Sequence, residues 1–131
     1  MARRRHSRLG DRGEKAAAGF LASYGFSVLH HQYRTRLGEI DLICRDGDCT
    51  VFVEVKTRRT QRTGHPAESI THEKQRRLTR LALAYLKQHD LLETRARFDV
   101  VSVLWNDENT APQIEHFPNA FPATGSGQMY A

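Results

Sequence analysis

The run from Gly38 to Lys56 constrains this chain most. Two alternating apolar segments, Gly-Glu-Ile-Asp-Leu-Ile-Cys and Val-Phe-Val-Glu-Val-Lys, flank Arg-Asp-Gly-Asp-Cys-Thr. An Asp-Gly pair between such segments is a strong β-hairpin signal. With Asp46 and Gly47 as the whole loop, Arg45 faces Asp48, Cys44 faces Cys49, Leu42 faces Val51, Asp41 faces Phe52, Ile40 faces Val53 and Glu39 faces Glu54. Residues directly opposite share a face of the sheet. This register predicts one face of Ile40, Leu42, Val51, Val53 and Val55, fit for a core. It predicts a second face carrying Glu39, Asp41, Glu54 and Lys56.

The second face is electrostatically costly. Carboxylates that are opposite or diagonal repel by a few tenths of a kcal/mol up to ~1. Asp41 and Glu54 lie on a diagonal of ~7–8 Å, close enough for their oxygens to converge. A divalent cation turns that repulsion into coordination, because hard cations such as Mg²⁺ take oxygen ligands. Lys56 points to the same side as Glu54 by the period-2 rule. An ammonium beside metal-bound carboxylates can hold or deprotonate a water, or neutralise a phosphate. A solvated strand face of mixed charge is the plainer reading for any one of these residues. It accounts less well for all of them together, backed by Val and Ile.

Asp41, a hairpin turn and then Glu54-Val55-Lys56 is similar to the PD-(D/E)xK nuclease motif. The longer string, Gly-Glu-Ile-Asp-Leu-Ile followed by Val-Phe-Val-Glu-Val-Lys-Thr-Arg, resembles the small bacterial UPF0102 family, over roughly Gly10 to Phe121. The Pro that names the motif is absent, since Ile40 precedes Asp41. The resemblance implies a restriction-endonuclease-like α/β core related to archaeal Holliday-junction resolvases. It implies that Asp41 and Glu54 hold one or two Mg²⁺ (or Mn²⁺), with the Val55 carbonyl as a further ligand, and that Lys56 handles the attacking water. In resolvase-like nucleases a Glu on the first helix points at the metal, which by resemblance adds Glu14. The alternative for Glu14 is an acidic residue complementing the helix dipole.

Composition bounds the rest. A chain of 131 residues with 39% apolar and 27% charged residues suits one globular domain. No apolar run approaches the ~18–20 residues that span a bilayer, and no apolar segment follows Arg3, Arg4 and Arg5, so neither a membrane span nor a secretory signal is expected. A cytoplasmic setting follows. There the two cysteines, Cys44 and Cys49, stay reduced, although the register above makes a cross-strand disulfide geometrically conceivable. The net charge of +5 points to a polyanionic partner, nucleic acid, with DNA placed ahead of RNA by the resemblance.

Taken in order, residues 1–9 read as a basic arm. A first helix runs from Gly10–Asp11 to a C′ glycine at Gly25, with Ala17, Phe20, Leu21 and Tyr24 as its buried stripe. Phe26–Arg34 is a strand pairing antiparallel with Glu39–Cys44. Adjacent His30 and His31 point to opposite faces and make no joint site. Arg34 and Arg36 sit by the turn as phosphate contacts. The segment after Lys56 is a polar basic loop, from which Arg58 is singled out as a phosphate clamp. The second helix runs from Ser69 or Thr71 to His89, its apolar stripe opening on Lys74. That lysine either reaches the site or snorkels over apolar surface. Gln75, beside it, is a candidate helper. Arg97–Trp105 reads as a central strand parallel to Val51–Lys56, with Asp99 paired to an Arg inside it. Gln113–Phe117 is the last strand, and residues 122–131 read as a flexible tail.

The expected fold is one α/β domain over residues 10–121, a mixed sheet of about five strands flanked by helices. The expected activity is metal-dependent phosphodiester hydrolysis. A nucleic-acid-binding accessory factor without turnover is the alternative. Related resolvases work as dimers, so a homodimer is also admitted.

Overall fold

The computed structural model describes residues 8–59, 70–107 and 109–124. The chain runs α1 (Arg8–Ser23), β1 (Ser27–Thr35), β2 (Gly38–Asp46), β3 (Cys49–Arg58), α2 (His72–Gln88), β4 (Ala96–Leu104) and β5 (Gln113–Phe121). The strands form one mixed sheet in the order β1-β2-β3-β4-β5. β3 and β4 are parallel, joined by the α2 crossover, and the other neighbours are antiparallel. The fold is the expected α/β domain. Among the described residues, no helix is long and apolar enough to cross a membrane.

Each helix covers one face. Ala17, Ala18 and Leu21 of α1 pack with Leu42, Cys44, Val51, Val53, Val101 and Val103. Leu78, Leu81, Ala82, Tyr85 and Leu86 of α2 pack with Ile43, Phe52, Phe98 and Val100. Both faces of the central strands are therefore core, which explains why β3 and β4 read as near-continuous apolar runs. Ile40 does not join the Leu42 group as the hairpin pattern predicted. It packs in the α2-side cluster, next to Tyr33.

Local signals set the element ends. Gly25 adopts φ +95 after α1, and the amides of Gly25 and Phe26 return to the carbonyls of Ala22 and Leu21, the bonding of a Schellman close. Tyr24 lies beyond the helix and is exposed rather than buried, its ring 4.9 Å from Phe20. At the start of α2, the Thr71 hydroxyl accepts the Lys74 amide at 3.1 Å. Gln75 does not help the groove described below: its side-chain amide donates to the Ile70 carbonyl at 3.0 Å.

The β2–β3 turn corrects the predicted register. Asp46 pairs with Cys49, so Gly47 and Asp48 form the loop, and Gly47 takes φ +62 at its first position. That position of a tight hairpin loop requires a positive φ, which glycine adopts at less cost than aspartate. From Leu42 to Arg45 each pairing moves by two residues, and Leu42 faces Val53. A two-residue slip leaves each side chain on its own face. It separates the cysteines: Cys44 faces Val51, and both thiols are free and buried.

Three boundaries also differ. α1 begins at Arg8, inside the stretch read as an arm, while residues 1–7 lie outside the described part. β5 continues to Phe121, and Ala123 packs on the α2-side core within the predicted tail, whose residues 125–131 lie outside the description. β3 extends through Arg58, so that residue belongs to a strand. The basic loop is left to residues 59–66, of which 60–66 lie outside the description.

Candidate metal centre and its groove

A groove of about 590 Å³ opens where both helices begin. Gly10 and Glu14 of α1 form one wall, and Lys74 and Arg77 of α2 another. The β1–β2 turn, from Thr35 to Glu39, closes a third side, and Asp41 with residues 54–57 makes the floor. Gly13 lets α1 approach this floor. A Cβ there would stand 1.8 Å from the Thr57 hydroxyl oxygen, so only glycine fits. Glu14, the next residue, is thereby carried to the groove and is buried.

Asp41 is the centre of the site. Its Oδ2 accepts the Val55 amide at 2.8 Å, just beyond the Leu42–Val53 pairing. The predicted diagonal neighbours Asp41 and Glu54 do share the floor. Burial pushes the Asp41 carboxyl up to about 8. Glu54 and Glu14 add to the rise, while the Val55 amide and Lys74 oppose it. One oxygen each from Glu14, Glu39 and Asp41 lie within 4.8 Å of one another. All the donors are carboxylate oxygens, the set that suits Mg²⁺ or Mn²⁺ and not a soft thiophilic metal.

Cations border these acids. Lys74 Nζ donates to Glu54 Oε2, and Arg34 Nε donates to Glu39 Oε1 at 3.0 Å. Lys56 lines the floor. Burial first, and then Lys74, pull its ammonium below the ordinary lysine range. Glu54 is buried and faces Lys74 rather than the Glu14–Glu39–Asp41 trio.

The sequence-predicted residues divide accordingly. Glu14, Arg36, Asp41, Glu54, Val55, Lys56 and Lys74 meet in the groove. Val55 contributes its amide to Asp41. Arg34 is outside the lining and holds Glu39 in place. Arg58 is also outside it, its guanidinium 3.5 Å from the Ser102 hydroxyl. Glu39 and Arg77 were not picked out as site residues. Glu39 had a signal, since it shares a strand face with Asp41 two residues on. Arg77 follows Lys74 by one helical turn, which puts both on one side of α2.

A family model described as "Uncharacterised protein family UPF0102" matches residues 13–103. The chain belongs to the UPF0102 family. A UPF0102 protein of Rhodopirellula baltica is 46% identical over 128 residues, which cover 95% of this chain and 77% of that protein. One from Trichlorobacter lovleyi is 44% identical over 114 residues, or 86% of this chain and 89% of the relative. One from Caldicellulosiruptor saccharolyticus is 43% identical over 113 residues, covering 86% and 96%. The UPF0102 match starts at Gly13, where α1 touches Thr57, and takes in every acidic residue of the groove.

The remaining buried charge has a structural account. Asp99 is fully buried, and its carboxylate accepts from Arg97 Nε at 2.9 Å, the Asn119 amide at 2.9 Å and His116 Nε2 at 2.7 Å. These bonds hold its pKa below the usual value despite burial. The sequence reading paired Asp99 with an Arg and kept it out of the site, and the structure agrees.

Proposed function

We propose that this UPF0102 protein is a divalent-metal-dependent nuclease that hydrolyses phosphodiester bonds, as the likeness to the PD-(D/E)xK motif suggests. One observation carries the reading. Three carboxylate oxygens, from Glu14, Glu39 and Asp41, come within 4.8 Å of one another in an open groove floored by Lys56. A protein that only binds nucleic acid gains nothing by turning clustered carboxylates toward phosphates.

Asp41, Glu14 and Glu39 would hold the cation, with Glu54 beside them. When bound, it polarises the scissile phosphate and acidifies a water. Lys56 then does the proton work. Its ammonium sits on the groove floor with a lowered pKa, which brings it nearer the range where one group can both hold a water and pass its proton. The Val55 amide fixes the Asp41 carboxylate through Oδ2. Arg36, on the β1–β2 turn, and Arg77, whose side chain packs beside Gly38 of the same turn, both line the groove and suit the phosphates of a bound strand. The net charge of +5 favours a polyanion.

The test is a cleavage panel of single-stranded, duplex, flap and four-way-junction DNA with Mn²⁺, and matching RNA. Asp41→Ala and Lys56→Ala should each lose on the order of 10²-fold or more, the scale of a general acid–base group, while retaining a cooperative melt. Full activity in either variant would end the assignment.

A further inference from the structure

We propose that Lys74 and the divalent cation compete for Glu54, so that metal entry releases the Lys74 ammonium to a substrate phosphate. The inference rests on the metal-dependent reading above and adds to it a coupling between metal and nucleic acid.

The observed ion pair starts the argument. Lys74 Nζ donates directly to Glu54 Oε2, and the pair is lopsided in exposure: the lysine side chain is 30% exposed and the glutamate side chain 9%. Glu54 therefore stays on the floor beside Asp41, while Lys74 has room to leave toward the groove. The placement of Lys74 is also unusual. Thr71 caps α2, and its hydroxyl binds the Lys74 amide. A capping box puts Glu or Gln at this third helical position, where the helix dipole favours an acidic group. A lysine there is set against the dipole and is held by Glu54. The helix end itself suits an anion, and a phosphate arriving at it would find the freed ammonium and Arg77, one turn further on.

A dication held by Asp41 beside Glu54 would attract the Glu54 carboxylate and repel the ammonium. Lys74 thus has two anionic destinations, Glu54 without metal and a phosphate with it. Linkage makes the effect reciprocal: the metal must strengthen nucleic-acid binding by the same factor as nucleic acid strengthens metal binding.

Mn²⁺ affinity is measured by isothermal titration without nucleic acid for the wild type, Lys74→Met, Lys74→Arg and Asp41→Asn. Lys74→Met, which has no competing charge, should bind Mn²⁺ on the order of tenfold more tightly than wild type, and Lys74→Arg should remain near wild type. Binding of a fluorescein-labelled DNA is then followed by anisotropy with and without Ca²⁺. The wild type should tighten severalfold with Ca²⁺, and Lys74→Met should respond less. In the wild type itself, acylation of Lys74 by an activated acetate ester should speed up when Mg²⁺ is added, which covers the case in which Lys74→Met does not fold. Equal or weaker Mn²⁺ binding by a folded Lys74→Met, or acylation indifferent to Mg²⁺, overturns the competition. If the wild type binds Mn²⁺ and Asp41→Asn does not, the metal reading stands even where the competition falls. If Mn²⁺ binds none of the variants, both fall.

Discussion

Replacing Asp41 by Asn should stabilise the metal-free protein, by an amount that depends on pH. Asp41 has an ordinary pKa of 3.8 and is pushed up to about 8 in the fold, first by burial and then by Glu54. Between those values the folded chain holds a proton that the unfolded chain has released. Stability therefore falls as pH rises through the window, because the native state binds more protons than the unfolded one. At 1.36 kcal/mol per pH unit, folding at pH 7 carries a cost of about 4 kcal/mol at Asp41. The carboxyl borders groove water, which screens its neighbours, so about half of that, ~2 kcal/mol, is the expected gain from Asn. For a chain of this length that is roughly 8 °C in Tm. Asn keeps an oxygen for the Val55 amide at Oδ1, and its NH₂ can donate to Glu54 or Glu14, so no bond is lost. Thermal melts of both proteins in EDTA from pH 3.5 to 8.5 test this. The two should coincide near pH 3.5, where both side chains are neutral, and separate steadily up to pH 8. Saturating Mg²⁺ should raise only the wild type, by about 2.7 kcal/mol at a hundredfold excess over Kd, which is enough to close a gap of ~2 kcal/mol and reverse its sign. A gap constant with pH, or an Asn variant less stable at pH 8, would refute the argument that burial of this carboxyl strains the metal-free fold.

Three further outcomes are expected. Gly13→Ala should destabilise by about 1–3 kcal/mol in urea unfolding, since the added methyl lands on Thr57, and Thr57→Gly in the same chain should recover much of the loss. Asp99→Ala should cost about 3–5 kcal/mol by chemical denaturation at pH 7, because it removes the buried acceptor shared by Arg97, His116 and the Asn119 backbone amide and leaves Arg97 only Asp46 as an ion-pair partner among the described residues. Since the Asp99 pKa is lowered in the fold, its contribution is present above the ordinary carboxylate range and is lost in acid, so this variant should approach wild type as pH falls toward 2. Arg77→Ala should weaken nucleic-acid binding about equally across sequences and reduce the salt slope of log K by about 1, as loss of a single phosphate contact does.

The legible parts of this fold were those governed by local rules. Gly25, the Asp46-Gly47 turn signal, the period of Ala17, Ala18 and Leu21, and the two-sided apolar run of β4 each follow from backbone sterics or from one helix or strand meeting one face. The mistaken hairpin register still kept Leu42, Val51, Val53 and Val55 on one face, because the error was two residues and side chains alternate with that period, whereas Ile40, beyond the paired stretch, went to the other. What could not be read was where charges end up once three elements converge. Whether Glu39 or Glu54 joins Asp41 depends on how α1 and α2 dock over the ends of β2 and β3, and that docking rests on long-range contacts such as Gly13 against Thr57. Lys74 is the clearest case. Its position in the α2 stripe left snorkelling and reaching the site as equal outcomes, and no spacing rule links it to Glu54, 20 residues away in sequence. The fold supplies the missing link by bringing the middle of β3, at Glu54, beside the first turn of α2. A mid-strand acid then meets a helix-start cation, a lysine that the helix dipole disfavours at that position and that Glu54 compensates.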